Sequence, residues 1–441
     1  MKKTLAVLIA ALMICSFAAC SGNNSDTSGS STAASQTEAS QTDSASDTGT
    51  SSDSSTSSSE ADSDDASQAS AASAVSGETV SAEYTPNTNG KLETTDLFSK
   101  RDLLQTPDLS GAKTITASDN KTETITEEGT YIISGTASNF TVRVEADSNA
   151  KVQLVLDGLS VTNDSTPVIY VVSADKCFVT TNGNESTLSV TGKFETDGDT
   201  NTDAVIFAKD DLVLNGTGTL NITSSQGNGI AAKDDLKITG GTYKITSGGD
   251  SIEVKDSLSI CGGTFGINSS KDGIQCKNSD DESKGSVLIA GGTFTITAAN
   301  DAIQAATVCQ IDGGTFNITG AEGIEATYVQ INDGELTISA SDDGINAGQK
   351  TNYSTPTVEF NGGTTKITMG QGDTDAVDAN GDIYVNGGTI DITATVSSFD
   401  YDGNAEYNGG TIIINGSQVD SIPQSMMGGG GMGGRMDNMN R

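Results

Sequence analysis

Leu258-Ser259-Ile260-Cys261-Gly262-Gly263-Thr264-Phe265-Gly266-Ile267-Asn268-Ser269-Ser270-Lys271-Asp272-Gly273-Ile274-Gln275-Cys276 is the stretch that decides the fold. Leu258 and Ile260 flank a polar residue, and Gly262-Gly263 then turns the chain. Phe265 and Ile267 alternate next, a polar corner ends at Asp272, and Ile274 with Cys276 closes the unit. Apolar residues at every second position mark short strands with one face toward a core. The unit therefore holds three short strands and three corners.

The unit recurs. Gly-Gly-Thr stands at Gly240-Gly241-Thr242, Gly262-Gly263-Thr264, Gly291-Gly292-Thr293, Gly313-Gly314-Thr315, Gly362-Gly363-Thr364, Gly387-Gly388-Thr389 and Gly409-Gly410-Thr411. Degenerate copies are Thr217-Gly218-Thr219 and Asp333-Gly334-Glu335, and the spacing is 20 to 23 residues except for two units of 29 and one of 25. No single coil can bury its own interior, so neighbours must stack, about 4.8 Å apart. The pattern predicts an all-β chain: a right-handed, single-stranded parallel β-helix with three short strands per coil of about 22 residues. A left-handed hexapeptide helix would need a strict six-residue period, which is absent. Tyr243, Phe265, Phe294 and Phe316 share one inward position and are expected to stack inside.

Outward from the repeat the chain changes character. Lys2 and Lys3, an apolar run from Leu5 to Ile14 and Phe17-Ala18-Ala19-Cys20 read as a lipoprotein signal peptide over 1–19, with Cys20 the lipidated residue. A diacylglyceryl cysteine supplies two acyl chains, enough for stable anchoring at the extracellular face of a cell envelope. Residues 20–90 are rich in Ser, Thr, Ala and acids without Lys or Arg, and read as an extended disordered tether. Residues 91–192 read as irregular first coils or a cap, 193–420 as the regular helix, and 421–441 as a Gly/Met-rich flexible tail. Cys177, Cys261, Cys276 and Cys309 are expected to be buried free thiols, because Cys276 and Cys309 replace Val, Ala or Leu of other coils.

The net charge of −36, with no His among 441 residues, excludes imidazole catalysis and His-ligated zinc. It also excludes nucleic acid as a partner through charge. Such a chain attracts divalent cations, and through them other polyanions.

The chemistry is expected at the corner before each third strand. It reads Asp203-Ala204-Val205, Asp250-Ser251-Ile252, Asp272-Gly273-Ile274, Asp301-Ala302-Ile303, Glu322-Gly323-Ile324, Asp343-Gly344-Ile345 and Asp375-Ala376-Val377, with Asp400 as a further member and Asn228 in the same place once. Three residues on runs a second oxygen column of Glu253, Gln275, Gln304, Glu325, Asn346 and Asp378. On stacked coils these groups lie about 5 Å apart, where like charges repel strongly unless cations intervene. Each acid can instead accept hydrogen bonds from the backbone of its own corner, as Asp and Asn do in turns. Stacked carboxylates also make hard oxygen sites for Ca²⁺. The candidate metal ligands are Asp250, Glu253, Asp272, Asp301, Glu322, Glu325, Asp343, Asp375 and Asp378. Lys209, Lys233, Lys255 and Lys277 run beside them and are expected to neutralise neighbouring acids.

Both long coils carry their insertion after the third strand, at Lys277–Ser286 and Gly348–Thr357. A groove is expected between these loops, floored by the coils of Asp301, Glu322 and Asp343, with Gln275, Gln304, Asn346, Tyr353 and Tyr384 contacting a ligand.

From about Thr114 to Asp420 the chain resembles a family of exported carbohydrate-binding proteins of clostridia and related Firmicutes, with a pectate-lyase-like β-helix. The matching features are Gly129-Thr130-Tyr131-Ile132-Ile133-Ser134-Gly135-Thr136, Val152-Gln153-Leu154-Val155-Leu156-Asp157-Gly158, Lys-Asp-Asp-Leu at 209–212 and 233–236, the repeated Gly-Gly-Thr and Asp-Gly-Ile units, and the Gly/Met-rich tail. The resemblance implies binding of cellulose and of acidic polysaccharides such as polygalacturonate, with calcium and without demonstrated lyase activity. Three readings follow: a monomeric, non-catalytic polysaccharide-binding lipoprotein; a calcium-dependent polysaccharide lyase with a base such as Lys277; and a structural surface, spore-coat or adhesin rod.

Overall fold

The computed structural model describes residues 80–424 apart from 373. The expected signal peptide, Cys20, the tether up to residue 79 and the tail beyond 424 lie outside the described residues.

The strands fall into a 24-stranded and a 12-stranded sheet, the two-to-one ratio of a three-strand coil whose first and second strands share one continuous sheet. In the coil quoted above the strands are Ser257–Ile260, Thr264–Ser269 and Ile274–Cys276. Each pairs in parallel with its equivalent in the next coil: Leu258 with Val287, Phe265 with Phe294, Ile274 with Ile303. The fold is a parallel β-helix. Strands from Lys113 to Val190 belong to the same ladders, since Lys113–Thr116 pairs with Gly129–Ser138 and Lys176–Thr181 with Leu212–Gly216. The irregular early stretch is thus continuous with the regular coils. At the far end Thr411–Ile414 and Ser417–Val419 form an antiparallel hairpin. Its two turn residues, Asn415 and Gly416, have φ of 51° and 78°, as a type I′ turn needs. The hairpin covers a strand edge that would otherwise template another chain.

The second glycine of Gly-Gly-Thr has a stereochemical cause. Gly292 has φ +119°, and a Cβ there would lie 3.0 Å from the Phe294 ring. Beyond the turn the aromatic residues point inward. Ring centroids of Phe265–Phe294 and Phe294–Phe316 are 4.6 and 4.7 Å apart and nearly parallel, and Tyr243 continues the stack at 5.4 Å from Phe265. Thr365 stands in the same inward column after Leu336, and its hydroxyl is buried without a hydrogen-bond partner. On the turn after the first strand, Asn361, Asn386 and Asn408 each donate to the preceding coil's asparagine carbonyl, at 2.8, 2.8 and 2.9 Å. Among the described residues Cys177, Cys261, Cys276 and Cys309 are free, and of these Cys261 alone is less than fully buried. Burial pushes the Cys177 and Cys309 thiols up to about 12.

The boundary expected at residue 90 is corrected. Val80–Gly90 is tied to the helix and runs into a strap that crosses the outward side of the first strands. Asn87 donates to Asp312 at 2.8 Å, and the Lys91 and Leu92 amides donate to Gln330 and Gln310 at 2.8 and 2.7 Å. Farther along, Gln105 accepts from the Gly216 amide at 2.8 Å, and Asp102 lies 3.7 Å from Lys176 and 4.0 Å from Lys237. Besides these polar ties, Phe98 of the strap is buried with Tyr84 edge-on to it at 4.7 Å, contacts too few to give the sequence an apolar period.

Candidate functional site

The corner before the third strand is built by a cross-coil ladder. Asp250 Oδ1 accepts from the Asp272 amide at 3.0 Å, Asp272 Oδ1 from Asp301 at 3.3 Å, and Asp343 Oδ1 from Asp375 at 3.2 Å. Asn228 plays the same part for the Asp250 amide at 2.8 Å. The expected bonds within each acid's own corner are thus replaced by bonds between successive coils. Asp250, Asp272 and Asp343 each use one oxygen to fix the stacking, and Oδ2 of Asp272 and of Asp301 accepts from the second column. Asp400 is misassigned to the corner: it pairs with Asp378 in the second column, and Ser397 occupies the corner place opposite Asp375.

The second column interlocks with the first. Gln275 donates to Asp272, and also to Gln304 Oε1 at 3.0 Å. Gln304 Nε2 donates to Asp301 Oδ2 at 2.6 Å and to Glu325 Oε2 at 2.7 Å, and Asn346 donates to Glu322 at 3.2 Å. Asn346 Oδ1 is buried and has no hydrogen-bond partner.

Of the nine expected ligands, the structure brings the oxygens of three close together. Oxygens of Asp301, Glu322 and Glu325 lie within 4.8 Å of one another, with Asp301 and Glu325 buried. Burial, then the charges of Glu325, Asp301 and Asp343, push Glu322 up to about 8. Burial and the Glu325 charge hold Asp301 well above the usual carboxylate range. Asp378 is raised to about 7 by burial and then by Asp343, Asp375 and Asp400, and burial leads the rise of Asp343 to about 6. Asp343, Asp375 and Asp378 thus form an acidic neighbourhood beside the triad. Among the described residues Glu253 does not cluster with other carboxylates; it pairs with Lys233 at 2.9 Å and accepts from Asn228.

The two inserted loops do not frame an open groove. They meet, Asn352 Nδ2 donating to Glu282 Oε2 at 3.1 Å. From the second loop Lys350 reaches back to ion-pair with Glu325. Tyr353 is 57% exposed on that loop. Tyr384 lies apart from these groups: it belongs to the first-strand rank, between Glu359 and Glu406, and its hydroxyl donates to Asp382 at 3.2 Å. Of the lysine column, Lys255 pairs with Asp280 at 2.6 Å.

A second carboxylate cluster, Asp211, Asp234 and Asp235, sits in the turns that lead into the first strands. Burial, then Asp211, raises Asp234 to about 6. The repeated Lys-Asp-Asp-Leu was its signal in the sequence. Here Lys176 lies 3.8 Å from Asp211, and Ser257 donates to Asp235 at 2.7 Å.

A family model described as carbohydrate-binding domain-containing protein matches residues 119–376 and 322–428. The chain belongs to this family. A carbohydrate-binding domain-containing protein of Acetivibrio thermocellus is 34% identical over 124 residues, which make up 27% of this chain and 43% of that relative. The chain therefore spans less than half of that relative's length. Among solved structures, the polysaccharide lyase-like protein from C. thermocellum, as a gadolinium derivative, is 29% identical with a TM-score of 0.46, covering 51% of this chain and 96% of that one.

Proposed function

We propose that the protein is a non-catalytic surface module that holds acidic polysaccharide through Ca²⁺ seated on Asp301, Glu322 and Glu325. The observation that carries this reading is the triad itself: three carboxylates, two of them buried, with oxygens within 4.8 Å of one another. In the metal-free protein Lys350 pairs with Glu325, and burial and like charge raise Glu322 and Asp301; once deprotonated, the three offer hard oxygen donors in a number that suits Ca²⁺. The buried, unpartnered Asn346 Oδ1 is a further neutral donor on the adjacent coil. When bound, the cation would offer positive charge to a uronate carboxylate. A net charge of −36 makes such bridging necessary for any polyanionic ligand. Gln304 holds Asp301 and Glu325, Gln275 in turn donates to Gln304, and Tyr353 offers an exposed ring on the loop that carries Lys350.

The same reading places the protein as a monomer on the outer face of the envelope, anchored through a lipidated Cys20 and its tether. Mass spectrometry of the membrane fraction tests the anchor by looking for a diacylglyceryl group on Cys20. Polygalacturonate retention on an affinity gel tests the bridge. EDTA should abolish retention and Ca²⁺ restore it; retention that survives chelation contradicts the bridge.

A further inference from the structure

On the outward side of the 12-stranded sheet one side-chain column changes chemistry along its length. Register aligns Arg143, Tyr170, Phe207 and Ala231 ahead of Glu253, Gln275, Gln304 and Glu325. The second half is the carboxylate column described above. Arg143 and Tyr170, at the start of the column, line a pocket of about 460 Å³, within the size range of small-ligand sites.

Arg143 and Tyr170 in this pocket are fixed by their neighbours. The guanidinium lies 4.9 Å from the Tyr170 ring centroid, and Asp197 Oδ2 accepts from Arg143 Nη1 at 2.9 Å and from the Tyr170 hydroxyl at 3.1 Å. Phe207 supports the Tyr170 ring edge-on at 5.7 Å. Around them stand amides and hydroxyls, including Asn139, Thr122 and Thr166. The lining carries three carboxylates, Asp164, Glu195 and Asp197, against one guanidinium, a net charge of −2. That balance repels a uronate. None of these three acids belongs to either metal-competent carboxylate cluster among the described residues, so no cation bridge is at hand. Groups that donate and groups that accept stand side by side, as a ring of sugar hydroxyls requires, each being both donor and acceptor.

We propose that this pocket is a second saccharide subsite that takes an uncharged sugar unit without a metal ion. It rests on the family's carbohydrate binding and not on the Ca²⁺ reading of the triad. Tyr170 and Gln304 are five coils apart on one sheet face, about 24 Å at the strand spacing. An extended glycan along the axis reaches both.

The test uses the full chain on a glycan array that carries neutral and uronate oligosaccharides, read in EDTA. Thr122→Trp fills the pocket from an exposed strand position, and Arg143→Gln removes its cation. Wild type should keep binding to neutral oligosaccharides in EDTA, and each variant should lose at least ten-fold of it. Calorimetric Ca²⁺ binding should match wild type in both variants, which separates this pocket from the triad and reports that the helix is intact. Absence of neutral-glycan binding in EDTA, binding of uronates instead, or undiminished binding by Thr122→Trp would overturn the proposal. Failure of Ca²⁺ binding in the wild type would sink the triad reading and leave this one standing.

Discussion

Asp301 and Glu325, one coil apart, share a single donor: Nε2 of Gln304 lies 2.6 Å from Asp301 Oδ2 and 2.7 Å from Glu325 Oε2. One amide thus holds together two buried acids that would otherwise repel, with Glu322 beside them. The three carboxylates are in this way held within 4.8 Å of one another.

The pH dependence follows from the direction of the shifts. Glu322 lies near 8 and Asp301 is raised, so the metal-free native state keeps protons that the unfolded chain gives up near pH 4.3. Their contribution to stability is fully present below that pH and is lost as pH rises through about 8. In EDTA, the melting temperature of wild type relative to Glu322→Gln should therefore fall between pH 5 and pH 8. A difference that is flat or rises over this window would contradict the buried, protonated state of Glu322.

Cation binding must displace those protons. Ca²⁺ affinity should strengthen from pH 6 to pH 8, with proton release visible as a buffer-dependent heat in calorimetry. A heat independent of the buffer's ionisation enthalpy would place the cation elsewhere.

Lys350 is a resident competitor. Its ammonium is ion-paired with Glu325. Lys350→Met should raise Ca²⁺ affinity several-fold, most at low ionic strength, where exposed charges are least screened. Unchanged affinity would mean that Glu325 takes no part in ligation.

The core makes a separate prediction. Thr365 interrupts an apolar column with a buried, unpartnered hydroxyl, so Thr365→Val should stabilise the protein by about 1 kcal/mol in urea unfolding. Phe294→Ala, within the ring stack, should destabilise it by about 3–5 kcal/mol.

Coil length, inward residues and the two oxygen columns were legible because a solenoid converts sequence spacing directly into stacking. Phe265 and Asp272 announce their neighbours one unit later. The choice among carboxylates was not legible in the same way. Asp250 and Asp272 use one oxygen to hold the next coil's amide, and Glu253 is claimed by Lys233, so identical spacing gives unequal availability. Asp400 was placed in the wrong column because the corner of its coil is carried by Ser397, which gives no acidic signal. The contact between Asn352 and Glu282 depends on two loop conformations that no period encodes. The strap from Val80 was hidden because Asn87, Asp102 and Gln105 hold it through polar groups. The terminal hairpin did leave a mark, the Asn415-Gly416 pair flanked by Ile414 and Ser417.

Lyase chemistry would require a base set apart from its neighbours. Lys233, Lys255 and Lys350 are ion-paired with acids, at Glu253, Asp280 and Glu325, whereas Lys277, the base that a lyase reading would use, is exposed and makes no ion pair among the described residues. Incubation with pectate and Ca²⁺ should give no rise in absorbance at about 235 nm, the signature of the unsaturated product of proton abstraction. A sustained rise would show that the protein is an enzyme.

The most direct measurement is Ca²⁺ titration by calorimetry of wild type beside Asp301→Asn/Glu322→Gln/Glu325→Gln, followed by polygalacturonate binding at saturating Ca²⁺. Wild type should bind both, and the triple variant, still folded by circular dichroism, should lose the cation site and the acidic glycan together. Undiminished Ca²⁺ and polygalacturonate binding by the folded triple variant would return the corner to pure architecture and contradict the account.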